Sequence, residues 1–459
     1  MALGLGGEDP QQRGLAGAVR ACQSDAVAAL HAERDTIEEH RPGELLAQLV
    51  RDHDRHEPKT RRNTYSLSVS VLAIVGGGLS TAQLVKAYRE GGGTDEVAVV
   101  SADASIPYHR PPLSKRYLRG EIEADGTYVE PASFYAESGV DLRLETVVDR
   151  IDHDARELQL RGGERLAFDR LVLATGATPR RPTAPGSELE GVFTLRSLAD
   201  SSAIRERARG ATRAVAVGTG FIGLEVAASL TQLGVSVTVV DRGSQLFRPL
   251  AAPAFSNYLV DLYQEKGVEL LLEDEVSEFR GNGSLTSFAT RDGHERDADL
   301  AVVGIGVVPE VGLLDGSGPE LDDGVLVNER FETSLPGIYA VGDVARFYDP
   351  VFGRRRRIEH WSNANYQGSE LGKLLATGEG GYDVVSSFFS ELFGMSVRLF
   401  GDVESNEQRL TGSFEEGQAV LLYLVEDAIR GALTMGADDE TVERLKQLIR
   451  DRAPRSAYT

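Results

Sequence analysis

Val71 to Leu118 reads VLAIVGGGLSTAQLVKAYREGGGTDEVAVVSADASIPYHRPPLSKRYL. Its first five residues form a short apolar run, the pattern of a buried parallel strand. The run breaks at Gly76-Gly77-Gly78 and gives way to helical spacing, with Leu79, Ala82, Val85 and Tyr88 on one face. A second apolar run, Val97 to Val100, is followed by an acid, Asp103. Strand, glycine turn, helix, strand and acid make the fingerprint of a dinucleotide-binding βαβ unit. Gly76 permits the tight turn. Gly78 lets the backbone approach a pyrophosphate at the helix N-terminus, where free N–H groups and the helix dipole favour anions. The third glycine position holds Thr81 instead. A β-branched side chain there is expected to overpack the helix against the sheet and weaken retention of the nucleotide, with Thr81→Gly restoring it.

The same logic returns at Arg213 to Asp241, RAVAVGTGFIGLEVAASLTQLGVSVTVVD. Gly218, Gly220 and Gly223 have full G-x-G-x-x-G spacing, and Asp241 lies 18 residues beyond the third glycine. That is close to the spacing at which an acid accepts hydrogen bonds from a ribose. A carboxylate there repels a 2′-phosphate, which favours NADH over NADPH, although Arg242 beside it leaves NADPH open.

Between and after these units the chain repeats the strand-to-turn theme. Leu171 to Leu173 runs into Ala174-Thr175-Gly176 and on to Arg180, and Ala301 to Val303 runs into Gly304-Ile305-Gly306. Gly337 to Val341 ends in Gly342-Asp343 and is expected to begin a helix-like segment. An acid at a strand C-terminus above such a sheet sits where ligands bind; as an N-cap the same residue is equally well explained. The tail from about residue 380 changes character. Val420 to Val425 and Ile429 to Met435 flank a Glu426-Asp427 turn as a hairpin, and Val442, Leu445, Leu448 and Ile449 follow with helical spacing.

The fold class expected is therefore α/β, with two Rossmann-like dinucleotide-binding domains, a small C-terminal α+β domain and a helical N-terminal extension. The boundaries read 1–65 for the extension, 66–178 and 301–379 for the two parts of the first domain, 179–300 for the second, and 380–459 for the last. The extension carries no catalytic pattern. It reads as a docked helical arm, a poorly ordered tail, or sequence upstream of the natural start.

Bulk properties narrow the chemistry. The 459 residues carry 71 acids against 49 bases, a net charge of −22, which argues against general nucleic-acid or anionic-membrane binding. The sequence has no run of 18 apolar residues and no basic-then-apolar leader, so neither membrane insertion nor secretion is expected and the location expected is cytoplasmic. Cys22 is the one cysteine. It leaves no intramolecular disulfide, redox dithiol, cysteine-ligated cluster or ordinary zinc site, so no metal is expected and electron transfer needs a bound organic cofactor.

The order of these motifs resembles the FAD-dependent NAD(P)H ferredoxin and rubredoxin reductases, relatives of apoptosis-inducing factor and monodehydroascorbate reductase. Pro107-Tyr108-His109-Arg110-Pro111-Pro112-Leu113-Ser114-Lys115 is the most specific element, and Glu359-His360-Trp361 adds to it. The resemblance spans about 66 to 459. It implies two cofactors, FAD and NADH, with NADPH the less favoured nicotinamide. The two dinucleotides would be held by Gly76, Gly78, Asp103 at the FAD adenosine ribose, Arg110, Lys115, Ala174, Thr175, Gly176, Arg180, Gly218, Gly220, Gly223, Asp241, Gly306, Gly342, Asp343 at the ribityl chain, Glu359, His360 and Trp361. Lys115, Glu225 and Trp361 would act at the flavin–nicotinamide junction. On residues alone Glu225 also reads as a first-turn acid complementing the helix dipole, and Trp361 as core.

The reaction implied is hydride transfer from NADH to FAD, then single-electron transfer to a [2Fe–2S] ferredoxin serving a cytochrome P450 or ring-hydroxylating oxygenase. Reduction of a small acceptor (monodehydroascorbate radical, quinone or oxygen) and a weakly active flavin scaffold are the alternatives. Arg354-Arg355-Arg356-Arg357 is the expected docking patch for an acidic ferredoxin, or else a solvated loop. The oligomeric state stays open.

Overall fold

Both βαβ units form where the glycine turns place them. The computed structural model describes residues 70–314 and 318–458, so the N-terminal extension lies outside the described residues. Val71–Val75, Glu96–Val100, Val140–Arg143, Arg170–Leu173 and Ile338–Ala340 form a five-stranded parallel sheet, with Val71–Val75 at its centre. Its inner strands Val71–Val75, Glu96–Val100 and Arg170–Leu173 are largely continuous apolar runs because both of their faces are buried. A second five-stranded parallel sheet has Arg213–Val217 at its centre, between Ser236–Asp241 and Leu300–Val303. Glu269–Leu272 and Val192–Thr194 complete it.

The chain passes between the sheets twice, through Ala177–Pro179 going out and Val307–Pro309 coming back. These two segments pair antiparallel as a two-stranded ribbon. The expected boundary at 300/301 therefore needs correction. It cuts through Leu300–Val303, whose Ala301, Val302 and Val303 pair within the second sheet. The segment after Gly342-Asp343 also differs from expectation. It is a single 3-10 turn, Gly342–Val344, followed by the strand Ala345–Asp349.

From Ser387 onward the chain forms a five-stranded antiparallel sheet and the helix Asp439–Arg450. Glu426 (φ +50°) and Asp427 (φ +69°) make the left-handed pair that a two-residue hairpin needs. Strand Gln418–Val425 is buried and apolar from Ala419 to Leu424, apart from the Tyr423 hydroxyl, because both of its faces are covered there. Ala419, Leu421 and Tyr423 pack toward the second sheet's helices, while Val420, Leu422 and Leu424 pack beneath Asp439–Arg450. This small sheet is thus welded to the second dinucleotide unit, and its first strand, Ser387–Leu392, reaches the candidate site.

Helices Leu79–Glu90 and Trp361–Thr377 cross at two glycines spaced four apart. A Cβ on Gly368 would lie 2.3 Å from Ser80 O, and one on Gly372 would lie 2.4 Å from Leu84 O. With no side chain there, the two backbones approach closely and bring His360 and Trp361 to the first glycine turn. Gly372→Val is expected to lower stability by at least about 1–3 kcal/mol, the usual cost of overpacking. A urea titration of the purified protein followed by circular dichroism checks this; an unchanged midpoint would show the crossing to be loose.

Candidate active site

The first glycine turn is built around contacts that exclude a side chain. Gly76 has φ +116°, and a Cβ on it would fall 2.1 Å from Ala174 O. Gly78 is the N-cap of Leu79–Glu90 in extended conformation. The turn at Ala174-Thr175-Gly176 abuts it, with Gly176 at φ +75° and the Thr175 hydroxyl donating to Glu310 O at 2.7 Å.

Two guanidiniums converge on these turns. Arg110 Nη1 lies 3.9 Å from the Cβ position of Gly78, and Arg196 Nη2 lies 3.3 Å from that of Gly176. Arg110 Nε donates to Arg196 O at 3.2 Å, while Arg196 Nη2 donates to Asp343 Oδ2 at 2.6 Å. Burial and then the like charge of Arg196 push the Arg110 pKa down. Burial works to raise the Asp343 carboxyl, but Arg196 and Arg110 outweigh it and hold it below the usual carboxylate value. Arg196 Nε is buried without a hydrogen-bond partner among the described residues. Two partly buried cations beside two side-chain-free turns, sharing Asp343 as their counter-ion, have the charge and shape to fit a pyrophosphate.

Sequence reasoning did not single out Arg196. A signal was present in Ser197-x-x-Asp200, a capping box that starts helix Leu198–Ala208 and also fixes Arg196 N on the Asp200 carboxylate at 3.0 Å.

Asp103 sits at the carboxyl end of the first sheet, and both of its oxygens are engaged. They accept from Ser105 N at 3.0 Å and from the Tyr108 hydroxyl at 2.7 Å. The Tyr108 pKa is pushed up to about 12, chiefly by burial, with Arg110 opposing and Asp103 adding. It therefore stays a neutral donor, and Asp103 fastens the Pro107–Lys115 loop. Gly342 (φ +77°) donates its N–H to Gln367 Oε1 at 2.8 Å, which locks the Asp343 turn to the Trp361–Thr377 helix.

The second glycine turn follows full G-x-G-x-x-G logic. A Cβ on Gly218 would meet Gly304 O at 2.4 Å, and one on Gly223 would meet Gly218 O at 1.9 Å. Gly220 is the N-cap of Phe221–Gln232. Asp241 is held rigid by Thr219 N at 2.9 Å and Gly243 N at 2.6 Å, while the exposed Arg242 turns away to pair with Glu275. Arg180 and Gly306 pair through their backbones at 2.9 Å on the connecting ribbon, with the Arg180 side chain exposed.

A buried ion pair joins the Pro107–Lys115 loop to the helix of the second turn. Lys115 Nζ from the first loop lies 2.5 Å from Glu225 Oε2 on the second helix, with both side chains under a tenth exposed. Glu225 stands beyond the first turn of its helix, so the dipole-complementing reading does not hold. Its oxygens also accept from the Ser114 hydroxyl at 2.5 Å and the Ser390 hydroxyl at 2.7 Å.

At the rim, Trp361 is half-buried and lies outside the main core. Its Nε1 donates to His109 Nδ1 at 2.9 Å, and its ring meets Phe389 edge-on at 5.9 Å. His360 N-caps the same helix, with Nδ1 accepting from Ser362 N at 3.3 Å. Its Nε2 faces the Phe389 backbone, 3.2 Å from both the N–H and the carbonyl oxygen. Burial lowers its pKa, and burial lowers that of His109 as well. Glu359 has a raised pKa, chiefly from burial, and pairs with Arg357.

That pairing bears on the expected docking patch, where most of the positive charge is paired within the chain. Arg354 pairs with Asp402 and Glu404, Arg356 with Asp349, and Arg357 with Asp323 and Glu359, while Arg355 donates to Val327 O. Three of the four guanidiniums thus pair with five carboxylates, and the exposed Arg355 meets only a backbone carbonyl. A run of like residues in sequence became alternating partners in space.

Thr81 also departs from expectation. It is fully buried, but its hydroxyl donates to Gly76 O at 2.6 Å, so the contact is a hydrogen bond rather than a clash.

Residues 70–368 match the family model described as pyridine nucleotide-disulphide oxidoreductase. The chain belongs to this family. Within it the chain stands with the FAD-dependent ferredoxin reductases. It is 32% identical to putidaredoxin reductase CamA of Pseudomonas putida over 390 residues, 83% of this chain and 92% of that one. It is also 32% identical to the ferredoxin–NAD(+) reductase subunit of the benzene 1,2-dioxygenase system of Pseudomonas putida, over 80% of this chain and 89% of the relative. Among solved structures, the covalent putidaredoxin reductase–putidaredoxin complex superposes with a TM-score of 0.81 at 31% identity, covering 84% of this chain and 94% of that one. The disulphide of the family name has no counterpart here, since one cysteine cannot form a pair.

Two outcomes follow from the geometry. Thr81→Gly removes a hydrogen bond worth about 0.5–1.5 kcal/mol and adds backbone entropy of about 0.5–1 kcal/mol. It should destabilise the protein by about 1–2 kcal/mol in a urea titration; a gain in stability would restore the overpacking view. For His360, the unfolded value of 6.5 exceeds the lowered folded one, so the unfolded chain binds a proton that the fold refuses. The stability is complete above pH 6.5 and is lost as pH falls from there through the folded value. The limiting slope is about 1.4 kcal/mol per pH unit for each such proton. His360→Asn, which keeps an N-cap, should flatten that acid decline but leave part of it to His109. An identical decline in the variant would show that His360 does not titrate this way.

Proposed function

We propose that this protein is an NADH-dependent, FAD-containing reductase that passes electrons to a [2Fe–2S] ferredoxin serving a cytochrome P450 or ring-hydroxylating oxygenase. The observation that carries the proposal is the Lys115–Glu225 contact of 2.5 Å, which brings the first and second glycine motifs to one buried point. Bound FAD supplies the ability to take a hydride from NADH and to release the electrons one at a time. The chain's own residues bind, orient and exclude water.

In this reading Gly76, Gly78, Ala174, Thr175 and Gly176 line the FAD phosphate cradle, and Arg110 and Arg196 neutralise the pyrophosphate. Asp343 and Gly342 take the ribityl side, while Asp103 takes the adenosine ribose from its place at the sheet's carboxyl edge. Gly218, Gly220, Gly223 and Gly306 admit the second dinucleotide, and Arg180 flanks that entrance. Asp241, fixed by two backbone N–H groups, accepts from the ribose and selects NADH, because Arg242 is engaged by Glu275. Lys115 and Glu225 place a compensated charge pair where the reacting rings meet, and Glu359, His360 and Trp361 border it. No general acid or base is needed for a hydride step, which suits an ion pair at this point.

The ferredoxin is assigned to the rim formed by Trp361, His109 and Phe389, since three of the four arginines in the Arg354–Arg357 loop are already paired with carboxylates. Support for a protein acceptor comes from relatives named as ferredoxin reductases of oxygenase systems. The decisive experiment mixes the purified flavin-loaded protein with NADH or NADPH without oxygen, then adds a [2Fe–2S] ferredoxin and cytochrome c. Bleaching of the flavin bands is expected at least about tenfold faster with NADH, the discrimination that ~1.4 kcal/mol provides. Cytochrome c reduction should depend on the ferredoxin. Fast turnover without ferredoxin would transfer the assignment to a small-acceptor reductase.

A further inference from the structure

The strand Ser387–Leu392 places Phe388, Ser390 and Leu392 on one face, two apolar side chains flanking a polar one. Phe388 and Leu392 pack into the hydrophobic cluster they face, as the alternation requires. Ser390 is 1% exposed in the same row. A buried hydroxyl in an apolar row needs a partner, and its partner is Glu225 Oε1 at 2.7 Å.

The Glu225 carboxylate receives its other donors on one side. Lys115 Nζ and the Ser114 hydroxyl both reach Oε2 at 2.5 Å. Rotation about the terminal bond of a carboxylate is soft, so two donors on one oxygen leave its plane poorly fixed. Ser390 is the donor at the opposite oxygen. It comes from the small C-terminal sheet, an element that contributes to neither glycine turn.

We infer that Ser390 is a positioning residue, fixing the plane of the Glu225 carboxylate and thereby the Lys115 ammonium at the flavin–nicotinamide junction. The inference rests on the functional reading above, which places Lys115 at that junction. The C-terminal sheet then does more than cover apolar surface, because one of its hydroxyls sets the geometry of a charge pair shared by the two dinucleotide units.

The test uses the full-length flavin-loaded protein in three forms: unaltered, Ser390→Ala and Ser390→Thr. Two quantities are read, the limiting rate of flavin bleaching by NADH in anaerobic rapid mixing and the flavin midpoint potential against a reference dye. Ser390→Ala should lower the limiting rate about tenfold, inside the ~100-fold that a 1 Å misplacement can cost. Half-saturation by NADH should stay within about twofold, because a positioning defect acts on the reacting geometry more than on uniform binding. The potential should fall as the Lys115 cation is held less firmly, and Ser390→Thr, which keeps the hydroxyl, should restore both readings. Unchanged rate and potential in Ser390→Ala, or an equal loss in Ser390→Thr, overturns the inference. If Ser390→Ala sheds its flavin, Ser390→Cys, which keeps the shape and weakens the donor, decides in the same way. An unaltered protein whose flavin NADH does not bleach overturns the functional reading instead, and the comparison of potentials still decides the role of Ser390.

Discussion

A carboxylate under a tenth exposed can stay ionised only if the surroundings supply what water would have given. Glu225 meets that constraint with an ammonium and two hydroxyls, one from its neighbour Lys115, one from Ser114 and one from Ser390. Removing one partner of such a pair costs about 3–5 kcal/mol, because the remaining charge stays buried. The requirement is spatial as well as energetic. Lys115 and Ser114 belong to the first unit, Glu225 to the second, and Ser390 to the C-terminal sheet, so the carboxylate is satisfied only when all three come together. The active-site cleft and the packing of the units are held by the same atoms.

The pyrophosphate region answers the opposite constraint. There the protein gathers positive charge in excess, with Arg110 and Arg196 sharing Asp343. Burial and mutual repulsion make that arrangement costly without an anion, and backbone N–H groups at the helix start point the same way. The bare turns at Gly76 and Gly176 leave room for the anion that would relieve it. Stability and ligand affinity are therefore coupled at this end of the site, whereas the Lys115–Glu225 end is neutral in itself.

The sequence made both βαβ units legible because their signals are local. A strand, a glycine turn and an acid lie within about 30 residues, and each has its own steric reason. The Lys115–Glu225 pair was legible only through the family resemblance, since 110 positions separate its members. What stayed hidden depended on through-space partners. Arg354 to Arg357 read as a basic patch because the acids that pair with three of them come from five scattered positions. Thr81 read as a clash because spacing gives the presence of a side chain but not the direction of its hydroxyl. Arg196 and Ser390 carry ordinary residue types in ordinary settings, and only their neighbours mark them. The 300/301 boundary failed for a related reason: a glycine turn marks the end of a strand, not the sheet to which the strand belongs.

The antiparallel ribbon of Ala177–Pro179 and Val307–Pro309 has a consequence for the order of assembly. Everything needed for the second parallel sheet lies between residues 192 and 303, whereas the first lacks its edge strand until Ile338–Ala340 has been made. During synthesis from the N-terminus, the inserted unit can close while the host sheet still waits for its last strand. The insert then brings the two ends of the interrupted domain together at the ribbon, shortening the loop whose entropy the final strand must overcome. On this view the inserted unit serves as the clamp on which its own host is completed.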